Sequence, residues 1–198
     1  MTGNTPLEDA HSPTSVCPTP RSLGAALVSA RLRRGMKQSH VAELLGVTQP
    51  TVSRIERGDL LPAGALREEA MRFLAARLDV RRDAGLRRLV EMAAAPVHVI
   101  CDLTHRLLAA SPTREREWQR SASDLKGVSL WPYASEIIRE AETRLGQYGW
   151  GEPDGACAME VTTNAHSSNA LRILPGRMIW ERMILSDGSP VRLVTNVG

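Results

Sequence analysis

Apolar residues recur at helical spacing through the first half of the chain and turn to short, strand-like runs in the second. Between residues 21 and 62 three short stripes stand out: Leu23, Leu27 and Leu32; Val41, Leu44 and Leu45; Val52 and Ile55. Each predicts a short helix with one buried side. From Ala63 to Ala94 one long helical pattern is expected. It carries Leu66, Met71, Phe73, Leu74 and Leu78, then Leu86, Leu89, Val90 and Ala93 at i, i+3, i+4 and i+7. Pro96 is expected to end it. Beyond it, "VHVICD" and "RLLAAS" read as two strands a few residues apart, followed by a polar helical region to about Trp131 and an amphipathic helix in "ASEIIREAETRLGQYG". Three further strand candidates follow: "ACAMEVTT", "GRMIWERMIL" and "SPVRLVTNV". The last two flank "SDG", a hairpin-turn signal. The order predicts an α+β protein of two domains: an all-α domain, a linker helix, then an antiparallel sheet with flanking helices.

Composition sharpens the ends and the thiols. Residues 1–20 hold four prolines and many Ser and Thr, too little apolar surface to offset the entropy of ordering, so a disordered tail is expected there. The three cysteines, Cys17, Cys101 and Cys157, show no paired spacing, which predicts reduced thiols rather than a disulfide framework. No apolar run is long enough to span a membrane, and no signal peptide is expected at the N-terminus. A cytoplasmic location follows from these readings. The Cys17–Pro18 dipeptide is too short to specify haem.

Charge changes the picture when it is split along the chain. Residues 21–95 carry 14 Lys and Arg against 8 Asp and Glu, whereas residues 96–198 carry 11 against 12. The positive excess lies in the helical half, which points to a polyanion partner there.

The chemistry of that half concentrates in "GVTQPTVSRIERG", residues 46–58. On a helical wheel Val52 and Ile55 point one way, while Pro50, Ser53, Arg54 and Arg57 cluster opposite. Thr48 suits an N-cap, and Pro50 falls in the first turn, where backbone N–H groups lack helical partners. Upstream, Gln38 to Leu45 predicts a helix of about two turns ending at Gly46. Two short helices across a Gly turn, the second polar and basic on its outer side, are what a helix-turn-helix requires.

The stretch "LRRGMKQSHVAELLGVTQPTVSRIERG" resembles the helix-turn-helix of the xenobiotic-response-element family, the group of Cro and lambda-type repressors, over about Leu23 to Leu78. The resemblance implies double-stranded DNA as partner, read by Gln49, Pro50, Thr51 and Arg54. It also implies Gln38 as a phosphate contact and a buried ion pair between Arg31 and Glu56. Ser53 and Arg57 complete the DNA-facing set. Lys37 stands where the family usually has a capping Ser, Thr or Asn.

The order of elements after Pro96 resembles PAS-type sensor domains, as do "VICDLTHRLLAAS", "DLKGVSLW" and "WERMILSDGSPVRLVTNV". That resemblance implies homodimerisation and often a ligand, a small molecule or haem, between sheet and helices; some such domains hold none, and the alternative is a C-terminal domain that only mediates dimerisation or protein–protein contact. The stripe Leu86, Leu89, Val90 and Ala93 is expected to help join two copies. His98, Cys101, His105, Cys157 and His166 are the available metal-ligating types, but their spacing matches no zinc pattern. A strand through His98 would put His98 and Asp102 on one side and Cys101 on the other. The simpler reading has a core cysteine and surface histidines, with Trp118, Trp131, Trp150 and Trp180 as aromatic core.

No phosphate-binding Gly loop, nucleophile elbow or metal-hydrolase helix is present, and Ser111 and His105 lack a third partner for a triad. No catalytic residue and no metal site is therefore expected. The sequence predicts a bacterial-type transcription regulator with four segments: a tail (1–20), a helix-turn-helix domain (21–80), a linker and dimerisation helix (81–95), and a PAS-like domain (96–198).

Overall fold

The computed structural model describes residues 20–150, 157–167 and 171–197. The expected disordered tail, Cys17 included, falls outside these residues except for Pro20. The N-terminal part consists of helices α1 (Pro20–Arg33), α2 (Gln38–Leu45), α3 (Gln49–Arg57) and α4 (Gly64–Leu74). Two small cores hold them together. Leu23, Leu27 and Ala30 of α1 meet Ile55 and Leu74, while Val41, Ala42 and Leu45 of α2 meet Val52 and Ala70. Leu32 and Leu44, expected inside, are exposed. In α1 the third core position belongs to Ala30.

Gly24 sets how closely α1 approaches α3. A Cβ at Gly24 would lie 2.3 Å from the carbonyl oxygen of Ile55, a distance no side chain tolerates.

The long helix expected over Ala63–Ala94 is broken. After α4 the chain leaves helical geometry and resumes it only in α5 (Ala84–Glu91). The cause is local. Asp79 Oδ1 accepts hydrogen bonds from the backbone N–H groups of Arg81 and Arg82, and Asp83 Oδ2 accepts from the N–H of Asp79. These side chains offer the backbone an alternative to helix, which the apolar periodicity did not register.

A five-stranded antiparallel sheet follows: β1 (Val97–Cys101), β2 (Leu107–Ala110), β3 (Ala158–Thr163), β6 (Gly176–Ile184) and β7 (Pro190–Asn196), in the spatial order β2-β1-β7-β6-β3. Between β2 and β3 the chain forms α6 (Pro112–Trp118), α7 (Ala122–Leu125) and α8 (Glu136–Arg144). A separate ribbon, β4 (His166–Ser167) with β5 (Arg172–Ile173), is an addition that two-residue strands gave no pattern to predict.

Strand alternation gives the sheet two buried faces. Val97, Val99, Cys101, Leu108 and Val191 turn toward α5, where Val90 is buried and Leu86 and Ala93 are partly buried. Three of the four residues expected to pair two copies are thus consumed within the chain. Only Leu89 of that stripe stays 73% exposed. Ile100 and Ala110 turn instead toward α6 and α7, and Met178, Trp180 and Val194 toward α8.

Candidate nucleic-acid interface and a buried cavity

α2 closes at Gly46, whose φ of 64° and ψ of 33° are left-handed, and its N–H donates to the carbonyls of Ala42 and Glu43. Lys37 at the start of α2 makes no side-chain cap. Thr48 occupies the N-cap position of α3 in extended geometry, but its hydroxyl pairs with the Thr51 hydroxyl at 2.9 Å rather than with a backbone N–H.

Val52 and Ile55 are fully buried and fasten α3 to its neighbours. Gln49, Pro50, Arg54 and Arg57 are exposed, while Thr51 and Ser53 are half-buried beside them. The two arginines differ. Arg57 is tied within its own helix end, donating to Ser53 Oγ at 2.7 Å and to Asp59 Oδ2 at 2.8 Å. The Arg54 guanidinium makes no hydrogen bond or ion pair among the described residues.

Behind α3 runs a chain of polar contacts. Arg31 forms a two-point pair with Glu56, Nε to Oε1 at 2.8 Å and Nη2 to Oε2 at 3.0 Å. Gln38 Nε2 donates to Glu56 Oε2 at 2.8 Å, and Gln49 Nε2 donates to Gln38 Oε1 at 2.6 Å. Burial alone would raise the Glu56 pKa, but the hydrogen bonds from Arg31 and Gln38 carry it below its ordinary value. One N–H of the Gln38 amide is left for an outside acceptor, since a primary amide has two. The first residue of α3 is therefore positioned from α1 through Glu56 and Gln38.

Between the sheet and α6–α8 lies a cavity of about 80 Å³. Its sheet wall includes His98, Met178, Trp180 and Arg192, and its helical wall includes Arg114, Trp118, Trp131 and Glu142. Arg192 is 2% exposed. It donates to Asp102 Oδ1 through Nε at 2.9 Å and Nη2 at 2.6 Å, and to Glu142 Oε2 through Nη1 at 2.6 Å. Its guanidinium also lies 4.5 Å from the Trp180 ring centre and 5.3 Å from that of Trp150. Trp150 Nε1 donates to Asp102 Oδ2, and His105 Nε2 lies 3.2 Å from Glu142 Oε1. Burial would raise the Glu142 pKa, but contacts with His105 and Arg192 bring it down to about 2.

His98 contradicts the expectation of surface histidines. It is 8% exposed, stands edge-on to Trp118 at 4.9 Å, and burial with nearby Arg114 and Arg192 holds its pKa well below the ordinary imidazole value. Cys101 does occupy the core, on the opposite sheet face, where Sγ accepts from the N–H of Ala76 at 3.3 Å. Ser111 is a structural cap: its Oγ accepts from the N–H groups of Val97 and Arg114 and donates to the carbonyl of Ala95.

Comparison with known proteins bears on the helical half. The helix-turn-helix family model HTH_3 matches residues 27–84. Residues 27–84 are a helix-turn-helix domain. The helix-turn-helix domain is followed by an α+β domain, a five-stranded antiparallel sheet with helices. Two PAS domains of known structure are similar to the chain at low identity. One, from an HTR-like protein of Haloarcula marismortui, shares 15% identity over 58% of this chain and 88% of that one, with a TM-score of 0.41. The other, from a protein of Desulfitobacterium hafniense, shares 11% over 54% and 96%, with a TM-score of 0.37. No curated protein matches the chain.

The helix-turn-helix domain is clasped to the sheet by the β6–β7 turn. Arg34, just past α1, donates to the Phe73 carbonyl at 2.9 Å, lies over the Phe73 ring, and reaches Asp187 Oδ2 and Ser189 Oγ at 3.3 Å. Asp83 accepts from the N–H and Oγ of Ser186. "SDG" announced the turn; its second role as a clasp depends on partners more than 100 positions away in the chain. Likewise, nothing in the strand pattern marked Arg192, Asp102 and Glu142 as one buried cluster.

Proposed function

We propose that this chain is a sequence-specific DNA-binding transcription regulator whose C-terminal domain responds to a small ligand. One observation carries the reading: the outer side of α3 leaves Gln49, Pro50 and Arg54 uncovered, while its inner side is locked by Val52 and Ile55. A helix of this kind enters a major groove and offers donors and acceptors to base edges. In this reading Arg54 takes a guanine edge through two hydrogen bonds, and Gln49 reads a neighbouring base from a position set by Gln38. Thr51 and Ser53 line the same groove, Arg57 and Gln38 meet phosphates, and the Arg31–Glu56 pair holds the frame. No part of the proposal requires catalysis.

The test is selection of the full-length protein on a randomised duplex pool, repeated across a salt series. A defined motif should emerge, and affinity should fall steeply with salt through counterion release. A pool that shows no enrichment and no salt dependence overturns the reading.

A second copy fits the exposed side of α5. Leu89 and Met92, three residues apart, are 73% and 76% exposed there, which supports α5 pairing across a twofold axis in place of the broader stripe expected from sequence. Two copies would reach half-sites about 34–36 Å apart. Leu89→Glu with Met92→Glu should yield a monomer in sedimentation that binds its operator far more weakly. The cavity of about 80 Å³ supports a ligand smaller than a tetrapyrrole, for which its aromatic walls would have to part.

A further inference from the structure

We infer that the cavity between the sheet and α6–α8 binds a small apolar monocarboxylate, an inference that rests on the reading of the C-terminal domain as a ligand-responsive one. The first argument is a mismatch of donors and acceptors. Among the described residues, six buried side-chain polar atoms have no hydrogen-bond partner, and three belong to this wall: His98 Nδ1, Arg114 Nε and Trp131 Nε1. Arg114 Nε–H and Trp131 Nε1–H can only donate, and a neutral His98 always has one N–H to give. Buried groups left in this state are costly and call for a partner outside the chain.

The one carboxylate on the same wall is already engaged. Both Glu142 oxygens are taken by Arg192 and His105, and Asp102, behind Arg192 and outside the lining, is held by Arg192 and Trp150. Arg114 spends one Nη1–H on Glu117 and both Nη2–H groups on the Pro96 carbonyl and Asn196 Oδ1, and its Nε has no partner among the described residues. The cavity thus offers Arg114 and Trp131 donors that only an acceptor can satisfy, while the carboxylate on its wall is already engaged. A carboxylate ligand would find two or three donors; an ammonium ligand would find no free carboxylate.

Size narrows the class. Both arginines on the wall already have carboxylate partners, Arg114 with Glu117 and Arg192 with Asp102 and Glu142, so the carboxylate is selected by the unpartnered donors and not by an excess of charge. Trp118, Trp180, Ile138 and Met178 supply apolar surface for a short hydrocarbon tail. The space of about 80 Å³ is roughly half the ~150 Å³ cavity that accepts benzene. A short aliphatic acid fits; an aromatic acid requires the walls to move.

The experiment uses full-length protein labelled with ¹⁵N in its tryptophan indoles and titrated with butyrate, butyramide, n-butylamine and benzoate. The Trp131 indole resonance is assigned from Trp131→Phe, which keeps a ring and removes the donor. Butyrate should saturate and shift the Trp131 resonance. Binding should weaken roughly tenfold in Trp131→Phe, the loss expected for one hydrogen bond to a charged group. Butyramide and benzoate should bind more weakly, and butylamine not at all. Equal or tighter binding of butylamine overturns the carboxylate assignment while leaving a ligand-responsive domain intact. If none of the four ligands shifts any indole resonance, the monocarboxylate assignment fails, while the ligand-responsive reading stands or falls on whether another small molecule does so. Motif selection on DNA remains an independent check of the N-terminal domain.

Discussion

Arg34 Nη2 lies 3.3 Å from Asp187 Oδ2, a contact that joins the end of the first helix to the tip of the last β-hairpin across 153 positions of sequence. The pair is partly exposed and contributes little alone. The same guanidinium also bonds the Phe73 carbonyl and covers the Phe73 ring. Arg34→Ala removes all of these at once. It should cost about 1–3 kcal/mol and speed amide exchange in residues 75–83 and 185–189 before the rest of the chain. Unchanged exchange in both segments would show that the clasp does not hold the domains together.

Gly24→Val tests the approach of α1 to α3. Because the obstacle is the Ile55 backbone and not a flexible side chain, the helices must separate. The N-terminal domain should lose its cooperative transition in calorimetry and bind no DNA. A native transition would mean that α1 can slide without loss.

Arg54 and Arg57 should differ in kind. Arg54→Ala should relax preference at one base position in each half-site, worth roughly 1–3 kcal/mol of discrimination, with the fold unchanged. Arg57→Ala should weaken every sequence alike and loosen Ser53, its present partner. Selection on randomised operators separates the two, and retention of every base preference by Arg54→Ala would assign the reading elsewhere.

The buried cluster around Arg192 sets an acid limit. Glu142 has a folded pKa of about 2, below its ordinary value of 4.5. Its contribution is therefore present above about pH 4.5 and is lost as pH falls toward 2. Arg192→Met should cost about 3–5 kcal/mol by stranding Asp102 and Glu142. In that variant the loss should grow less steep with acid, because Glu142, left with His105 alone, accepts a proton more readily. Denaturant midpoints measured from pH 7 to pH 3 give the comparison. A parallel pH dependence in both proteins would remove Arg192 from this account.

The sequence by itself determined what local spacing can determine. Val52 and Ile55 on one side of a two-turn helix, with Gly46 before and Gly58 after it, required a short helix with an uncovered polar side. Alternating runs after Pro96 required strands, and "SDG" required a turn between the last two. Periodicity went wrong where side chains compete with the backbone, as Asp79 and Asp83 do in breaking the helix expected over Ala63–Ala94.

Only the tertiary structure decided which apolar side meets which. Leu86, Val90 and Ala93 have the spacing of a pairing seam, yet they are covered by the chain's own sheet, because β1 and β2 present an apolar face within reach. The same holds for charge. Asp102, Glu142 and Arg192 lie far apart in sequence, and their formal charges look like those of any solvated surface. Their burial as one cluster, and the unpartnered donors of His98, Arg114 and Trp131 beside it, arise when sheet and helices exclude water from a common space. Helical and strand periods record which side of an element is buried, and carry no information about what lies opposite it.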